Sequence, residues 1–111
     1  MRATLLAAAL TFGAAASALA QAEGNPQAGR RLAGGMCAAC HGNNGIAVQP
    51  DAPNLAGQNA LYTATQLRAY RDGSRTHEQM AVVARNLTDV QIADLAAWYA
   101  AIGIEVTLPG R

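Results

Sequence analysis

Apolar residues recur at helical spacing in the later part of the chain, and no stretch alternates as a half-buried strand would. The clearest run is the last. Ile92, Leu95, Tyr99 and Ile102 share one face, with Trp98 on its flank. Thr88 with Gln91 three residues on is a capping box, and Gly103 is a stop, so the pattern predicts a helix over 89–102. Thr76 with Gln79 repeats the box and predicts a short helix through Met80, Val82 and Val83 that ends near Asn86. Asn59 caps a predicted helix from Ala60 to Asp72, closed by Gly73, with Leu61, Tyr62, Leu67 and Tyr70 on its apolar side. Asn25-Pro26 opens a helix that carries Gln27 to about Ala33 and loosens at Gly34-Gly35. Gly29 falls inside that helix, where it costs stability relative to Ala. Either another helix approaches closely there or the short helix tolerates it. These elements predict a single all-α domain of about four helices.

Two stretches fall outside the helices. Residues 42–58 are rich in Gly, Asn and Pro, and a loop this long in a small domain implies a task such as wrapping a ligand. At the N-terminus, Arg2 precedes an apolar, Ala-rich run, and Ala18-Leu19-Ala20 closes it with small residues. This reads as a secretory signal peptide over 1–20, cut after Ala20 or after Ala22, with residues 21–111 as the mature domain. An uncleaved membrane anchor is the alternative, since 3–22 could span a bilayer. The tail from Ile104 to Arg111 is expected to be extended and mobile.

Composition narrows the choice of partner and of core. The eight basic residues are all arginine, and beyond residue 20 seven arginines face seven acids. That balance excludes an electrostatic nucleic-acid binder. Aromatic residues make up 5% of a 111-residue chain. So small a domain has little core of its own, and a buried apolar cofactor would supply the missing centre.

Cys37-Ala38-Ala39-Cys40-His41 supplies the chemistry. The chain has two cysteines, both within this run, and C-x-x-C-H is the spacing of a covalently attached c-type haem. Two thiols two residues apart on a turn reach the two vinyl groups on one edge of the macrocycle. The adjacent imidazole is then held under the iron. A redox disulfide would call for a βαβ context that this helical sequence lacks. A zinc site would need four ligands, and His77 stands far from the motif. Export suits the haem reading and does not oblige Cys37 and Cys40 to form a structural disulfide.

The sequence resembles the class I cytochromes c, in particular the small bacterial cytochromes of the c4/c5/c553 type. The likeness rests on C-A-A-C-H-G at 37–42, P-N-L at 53–55 and the run from Met80 to Ala100, in that order and flanked by the first and last helices. The resemblance implies a small all-α fold wrapped around one haem c. Cys37 and Cys40 would form its two thioethers, and His41 would be the proximal ligand. The Pro53 carbonyl would orient the imidazole, Leu55 would pack on the ring, and Met80 would be the distal ligand. Met36 reads as packing and His77 as an exposed helix-start residue that could compete with Met80. Gly29 would be the close-contact glycine where the first helix crosses the last, near Leu95 and Trp98. Ala33 stands where many members place an aromatic residue, which bears on how tight that crossing is. The missing lysines exclude docking through a lysine ring.

The expected function is that of a soluble, monomeric, periplasmic single-electron carrier, not an enzyme. It would take electrons from a quinol-oxidising complex or a dehydrogenase and pass them to a terminal oxidase or reductase. Partners would be redox proteins met transiently, with membrane contact only through membrane-bound ones. The alternatives are a relay subunit of a larger redox complex, and a sensor or enzyme with an open distal position.

Overall fold

The computed structural model describes residues 23–110, so the expected signal segment, its cleavage site and Arg111 lie outside the described residues. Among the described residues five helices follow in order: α1 (Pro26–Met36), α2 (Ala38–His41), α3 (Ala60–Asp72), α4 (Glu78–Ala84) and α5 (Asp89–Ala101). No strand occurs among the described residues.

The predicted caps hold at three of the four longer helices. Asn25 accepts from the Gln27 and Ala28 amides, and Asn59 from the Tyr62 amide. Thr88 and Gln91 form both halves of the capping box on α5. The fourth differs. His77, not Thr76, is the N-cap of α4, and its ring accepts from the Met80 amide. The α1 helix also runs past Gly34-Gly35 to Met36, because no neighbour crowds either glycine and neither has a left-handed φ. The α3 face differs as well. Leu67 and Tyr70 pack against the core as expected, but Leu61 and Tyr62 are exposed while Thr63 and Ala64 are buried, so the first turn of the helix presents a different face from the predicted one.

α1 packs across α5, α3 lies against α5, and α4 against α3. At the first crossing the two backbones nearly touch. A Cβ on Gly29 would collide with the Asp94 carbonyl and lie 2.8 Å from the Trp98 Cβ. The mid-helix glycine is therefore required by close approach, one residue from the expected Leu95 contact. Ala33 is buried in the core beside it, so the small residue leaves the crossing tight. The Asn25 amide adds a hydrogen bond to the Asp94 carboxylate at 2.7 Å.

The buried core is Ala33, Ala64, Ala84, Leu87, Ile92, Leu95, Ala96 and Tyr99. Half of it is alanine. Among large side chains, Ile92 and Leu95 are the ones fully enclosed. The space between α3, α4 and the 42–59 segment is left open by the core, whose Leu87, Leu95 and Tyr99 line it, and that space is the site.

Candidate haem site

The two cysteines stand at the start and third residue of the one-turn helix α2, and His41 ends it. Gly42 follows with φ 77°, in the left-handed region, where a Cβ would also collide with the Ile46 carbonyl. This turn sends the chain sharply away and leaves Cys37, Cys40 and His41 on the wall of one cavity. The cavity measures about 370 Å³ and is lined mainly by apolar surface. Both thiols are free and half-buried. Burial pushes the Cys37 thiol up, an effect that the neighbouring Tyr99 hydroxyl partly offsets.

His41 is buried, and its Nδ1 lies 2.8 Å from the Pro53 carbonyl oxygen. A carbonyl can only accept, so Nδ1 carries the proton and Nε2 keeps its lone pair for a metal. The loop that delivers Pro53 is well tied down. The Leu55 and Ala56 amides donate to the Gly45 carbonyl at 2.7 and 3.0 Å, and the Ala47 amide donates to the Asn54 side chain at 2.8 Å. The Gly57 amide donates to the Tyr99 carbonyl of α5 at 2.9 Å. The 42–58 segment is thus a hydrogen-bonded wrap, and it places Pro53 and Leu55 on the cavity wall.

Met80 lines the same cavity from α4, half-buried, as does Met36 from the end of α1. His77 lines it too, but its Nδ1 is occupied by the Met80 amide at 3.3 Å and its ring meets Tyr70 edge-on at 6.4 Å. All six residues singled out from the sequence, Cys37, Cys40, His41, Pro53, Leu55 and Met80, therefore share one cavity. The donor set suits a haem: two thiols and an imidazole on one side, a thioether from another helix, and apolar walls between.

Other wall residues were not expected at the site, although Leu67, Tyr70, Leu95 and Tyr99 were expected in helix packing. Thr63, Gln66, Leu67 and Tyr70 reach the cavity from α3, Arg75 from the turn after it, and Leu95 and Tyr99 from α5. The Thr63 hydroxyl is buried without a hydrogen-bond partner, and the buried Tyr99 hydroxyl has none beyond its contact with the Cys37 thiol. Burial and the adjoining Cys37 thiol raise the Tyr99 phenol well above its ordinary range. The i, i+3, i+4, i+7 spacing of the α3 set was visible in the sequence, but polar members hid it from a search for an apolar face.

Comparison with known proteins agrees with this geometry. The family model described as cytochrome c matches residues 26–101. Cytochrome c4 of Thiocapsa roseopersicina is 47% identical over 77 residues, covering 69% of this chain and 40% of that protein. Cytochrome c-554(548) of Halomonas halodenitrificans is 46% identical over 68 residues, covering 59% of this chain and 82% of that protein. The solved cytochrome c4 of Acidithiobacillus ferrooxidans superposes with a TM-score of 0.65 at 28% identity, covering 72% of this chain and 51% of that one. The chain thus spans about half the length of the cytochromes c4 it matches. The all-helical architecture is the class I cytochrome c fold, and the chain belongs to the cytochrome c family, proteins with covalently bound haem c, as a small class I c-type cytochrome of the c4 type.

Proposed function

We propose that this chain is a soluble periplasmic carrier of single electrons with one haem c. Cys37 and Cys40 hold the haem as thioethers, His41 is its proximal ligand and Met80 its distal ligand. The observation that carries this reading is the His41–Pro53 bond at 2.8 Å on the side of the cavity that also carries both thiols, with Met80 lining the same cavity from another helix. When bound, the haem supplies a one-electron iron couple. The chain's residues do the rest. The Pro53 carbonyl fixes the imidazole tautomer and makes His41 a better donor. Leu55, Leu67, Val83 and Leu95 exclude water from the walls. With imidazole and thioether both committed, no position remains for a substrate. Balanced charge suits brief encounters with donor and acceptor proteins, whose contacts are small. The chain acts as a monomer, and residues 1–20 serve as a cleaved export signal. No helix among the described residues is long and apolar enough to cross a membrane.

A second reading, an electron relay within a larger redox assembly, draws on the partial coverage of the cytochromes c4. Co-purification and size-exclusion behaviour of the native protein separate the two.

The test of the site is Met80→Ala. The oxidised wild type should show the weak near-infrared band of sulfur–iron(III) coordination. The variant should lose it, fall in potential, and bind carbon monoxide when reduced, which the wild type should not do at neutral pH. If Met36→Leu or His77→Ala perturbs the spectrum and Met80→Ala does not, the distal assignment is wrong.

A further inference from the structure

The chain has six asparagines, and Asn44 is the one followed by glycine. That pair has a chemistry of its own. The backbone nitrogen after an asparagine can attack the side-chain amide carbon, and a side chain on the following residue obstructs the approach. Gly45 has none. The other five asparagines are followed by Pro26, Asn44, Leu55, Ala60 and Leu87, and the proline has no N–H to give up.

The fold prepares the pair. Asn44 is exposed, and its side-chain oxygen accepts from the Ile46 amide at 3.1 Å. This turn folds the side chain back along its own main chain. The Ile46 N–H also draws density from the amide carbon and stabilises the oxygen as charge develops on it. Gly45 has φ 74°, in the left-handed region, and its amide donates to the Gly42 carbonyl at 3.3 Å. A bond of that length is weak and readily given up. Asp72-Gly73-Ser74 repeats the turn with a different side chain. Gly73 has φ 85°, and the Asp72 carboxylate accepts from the Ser74 amide at 2.8 Å and from the Ser74 hydroxyl at 2.6 Å. Those bonds keep that carboxyl ionised, and a carboxylate is a poor target for a nucleophile.

The next link is the Gly45 carbonyl. It accepts from the Leu55 and Ala56 amides at 2.7 and 3.0 Å, and a Cβ on Gly45 would stand 2.7 Å from the Ala56 nitrogen. Pro53, whose carbonyl receives the His41 ring N–H, lies just before this fastening. The position of the Asn44–Gly45 peptide therefore decides whether the Pro53 loop stays tied.

We propose that Asn44 is a site of spontaneous covalent modification in the folded protein, and that its isoaspartyl product unfastens Leu55 and Ala56 from Gly45. The Gly45 nitrogen gives up its proton and attacks Asn44 Cγ. The N–Cγ bond forms, the Cγ–Nδ2 bond breaks, and Nδ2 takes up a proton and leaves as ammonia. Water then opens the cyclic imide. Opening at the side-chain carbonyl gives aspartate with the main chain unchanged. Opening at the main-chain carbonyl gives isoaspartate, in which the chain runs through Cβ and Cγ and gains a methylene. That extra length carries the Gly45 carbonyl away from the two amides. The step needs only water and goes beyond the haem reading.

The experiment ages the exported holoprotein in mildly alkaline buffer and maps its peptides by mass, with a methyltransferase that labels isoaspartate as a second readout. Asn44 should convert several-fold faster than any other asparagine, and faster still as pH rises, because the attacking nitrogen must lose its proton. Asp72 should gain no label. Asn44→Gln should lose the label at this position, since its longer side chain would have to close a larger ring. The isoaspartyl form is then isolated by chromatography and followed by hydrogen exchange. Its Leu55 and Ala56 amides should lose protection, whereas freshly purified Asn44→Asp, with the same added charge and a normal main chain, should keep it. An Asn44 that converts no faster than the other asparagines overturns the modification site. Isoaspartyl protein that still protects Leu55 and Ala56, or an Asn44→Asp protein that loses protection equally, overturns the unfastening.

Discussion

The two sides of α5 are closed in opposite ways. Toward α1 the contact is protein on protein and nearly backbone on backbone, with Gly29 under Asp94 and Trp98. Toward α3 and α4, Leu95 and Tyr99 of the same helix look onto a cavity of about 370 Å³. An enclosed apolar void of that size would cost on the order of 9 kcal/mol, at about 24 cal/mol per Å³, and less where the mouth admits water. That is comparable with the whole stability of a small domain. One side of the helix is complete as a polypeptide, and the other is built to be completed by its cofactor. A chain whose centre is a macrocycle needs few large side chains of its own.

Removing the cofactor's anchors should therefore have the largest effect, and it should fall unevenly. Cys37→Ala with Cys40→Ala should abolish covalent haem, so that acid–acetone carries any remaining haem into the organic phase. Hydrogen exchange on that variant should lose protection first in α3, α4 and the 42–59 wrap, and last at the α1–α5 crossing. Equal loss on both sides would mean that the crossing is not an independent clamp. Haem released into the organic phase from the wild type would refute the thioether attachment itself.

The converse change attacks the crossing and spares the cavity. Gly29→Ala would ordinarily strengthen a helix by up to about 1 kcal/mol. Here the added methyl meets the Asp94 carbonyl, which is backbone and cannot swing away. Overpacking of this kind costs about 1–3 kcal/mol, and the collision should outweigh the propensity gain. Urea denaturation should show the loss, while the visible spectrum and the near-infrared band stay in place. A more stable Gly29→Ala protein would show that the helices can part at little cost.

The same contrast explains how legible the molecule was in its sequence. Local chemistry marked the elements well. Asn25-Pro26, Asn59 and the Thr88–Gln91 box each cap a helix as expected, because a cap is set by residues next to one another. The attachment motif was legible for the same reason, and the other site residues came through resemblance. What depended on tertiary packing was harder to read. Thr76 offered a hydroxyl at a plausible cap, yet the His77 ring took the position beside the cavity. Leu61 and Tyr62 resembled core and are exposed, and Tyr62 lines the cavity beside the polar Thr63 and Gln66. A wall that expects a ligand with polar groups of its own breaks the rule that polar residues face water, and apolar periodicity then misplaces the face.

The smallest effect tests the joint between the two sides, where the end of α3 meets the start of α5. Arg71 donates to the Asp89 carboxylate at 2.7 Å and to the Leu87 carbonyl at 2.9 Å. Asp89 also stands in the first turn of α5, where a negative charge is favoured by the helix dipole. The Arg71 hydrogen bond and charge hold the Asp89 carboxyl below its ordinary value. A carboxylate whose folded pKa is depressed contributes stability above its unfolded pKa and loses it as pH falls through the folded one. The bridge should therefore be fully formed at neutral pH and fade on the acid side, below the usual range of an aspartate. Asp72, depressed by its hydrogen bonds from Ser74, adds an acid limb of the same sign. Both carboxylates are exposed, so the contribution is screened and small, and salt should reduce it further. Urea midpoints measured from neutral to acid pH should fall less steeply in Asp89→Asn than in the wild type, with the two curves converging at low pH. The haem spectrum should not change, because neither Arg71 nor Asp89 touches the cavity. If the variant keeps the wild-type acid slope, the bridge does no more than decorate the joint, and the two sides of α5 are coupled only through the packing of Ile92, Leu95 and Tyr99 along its length.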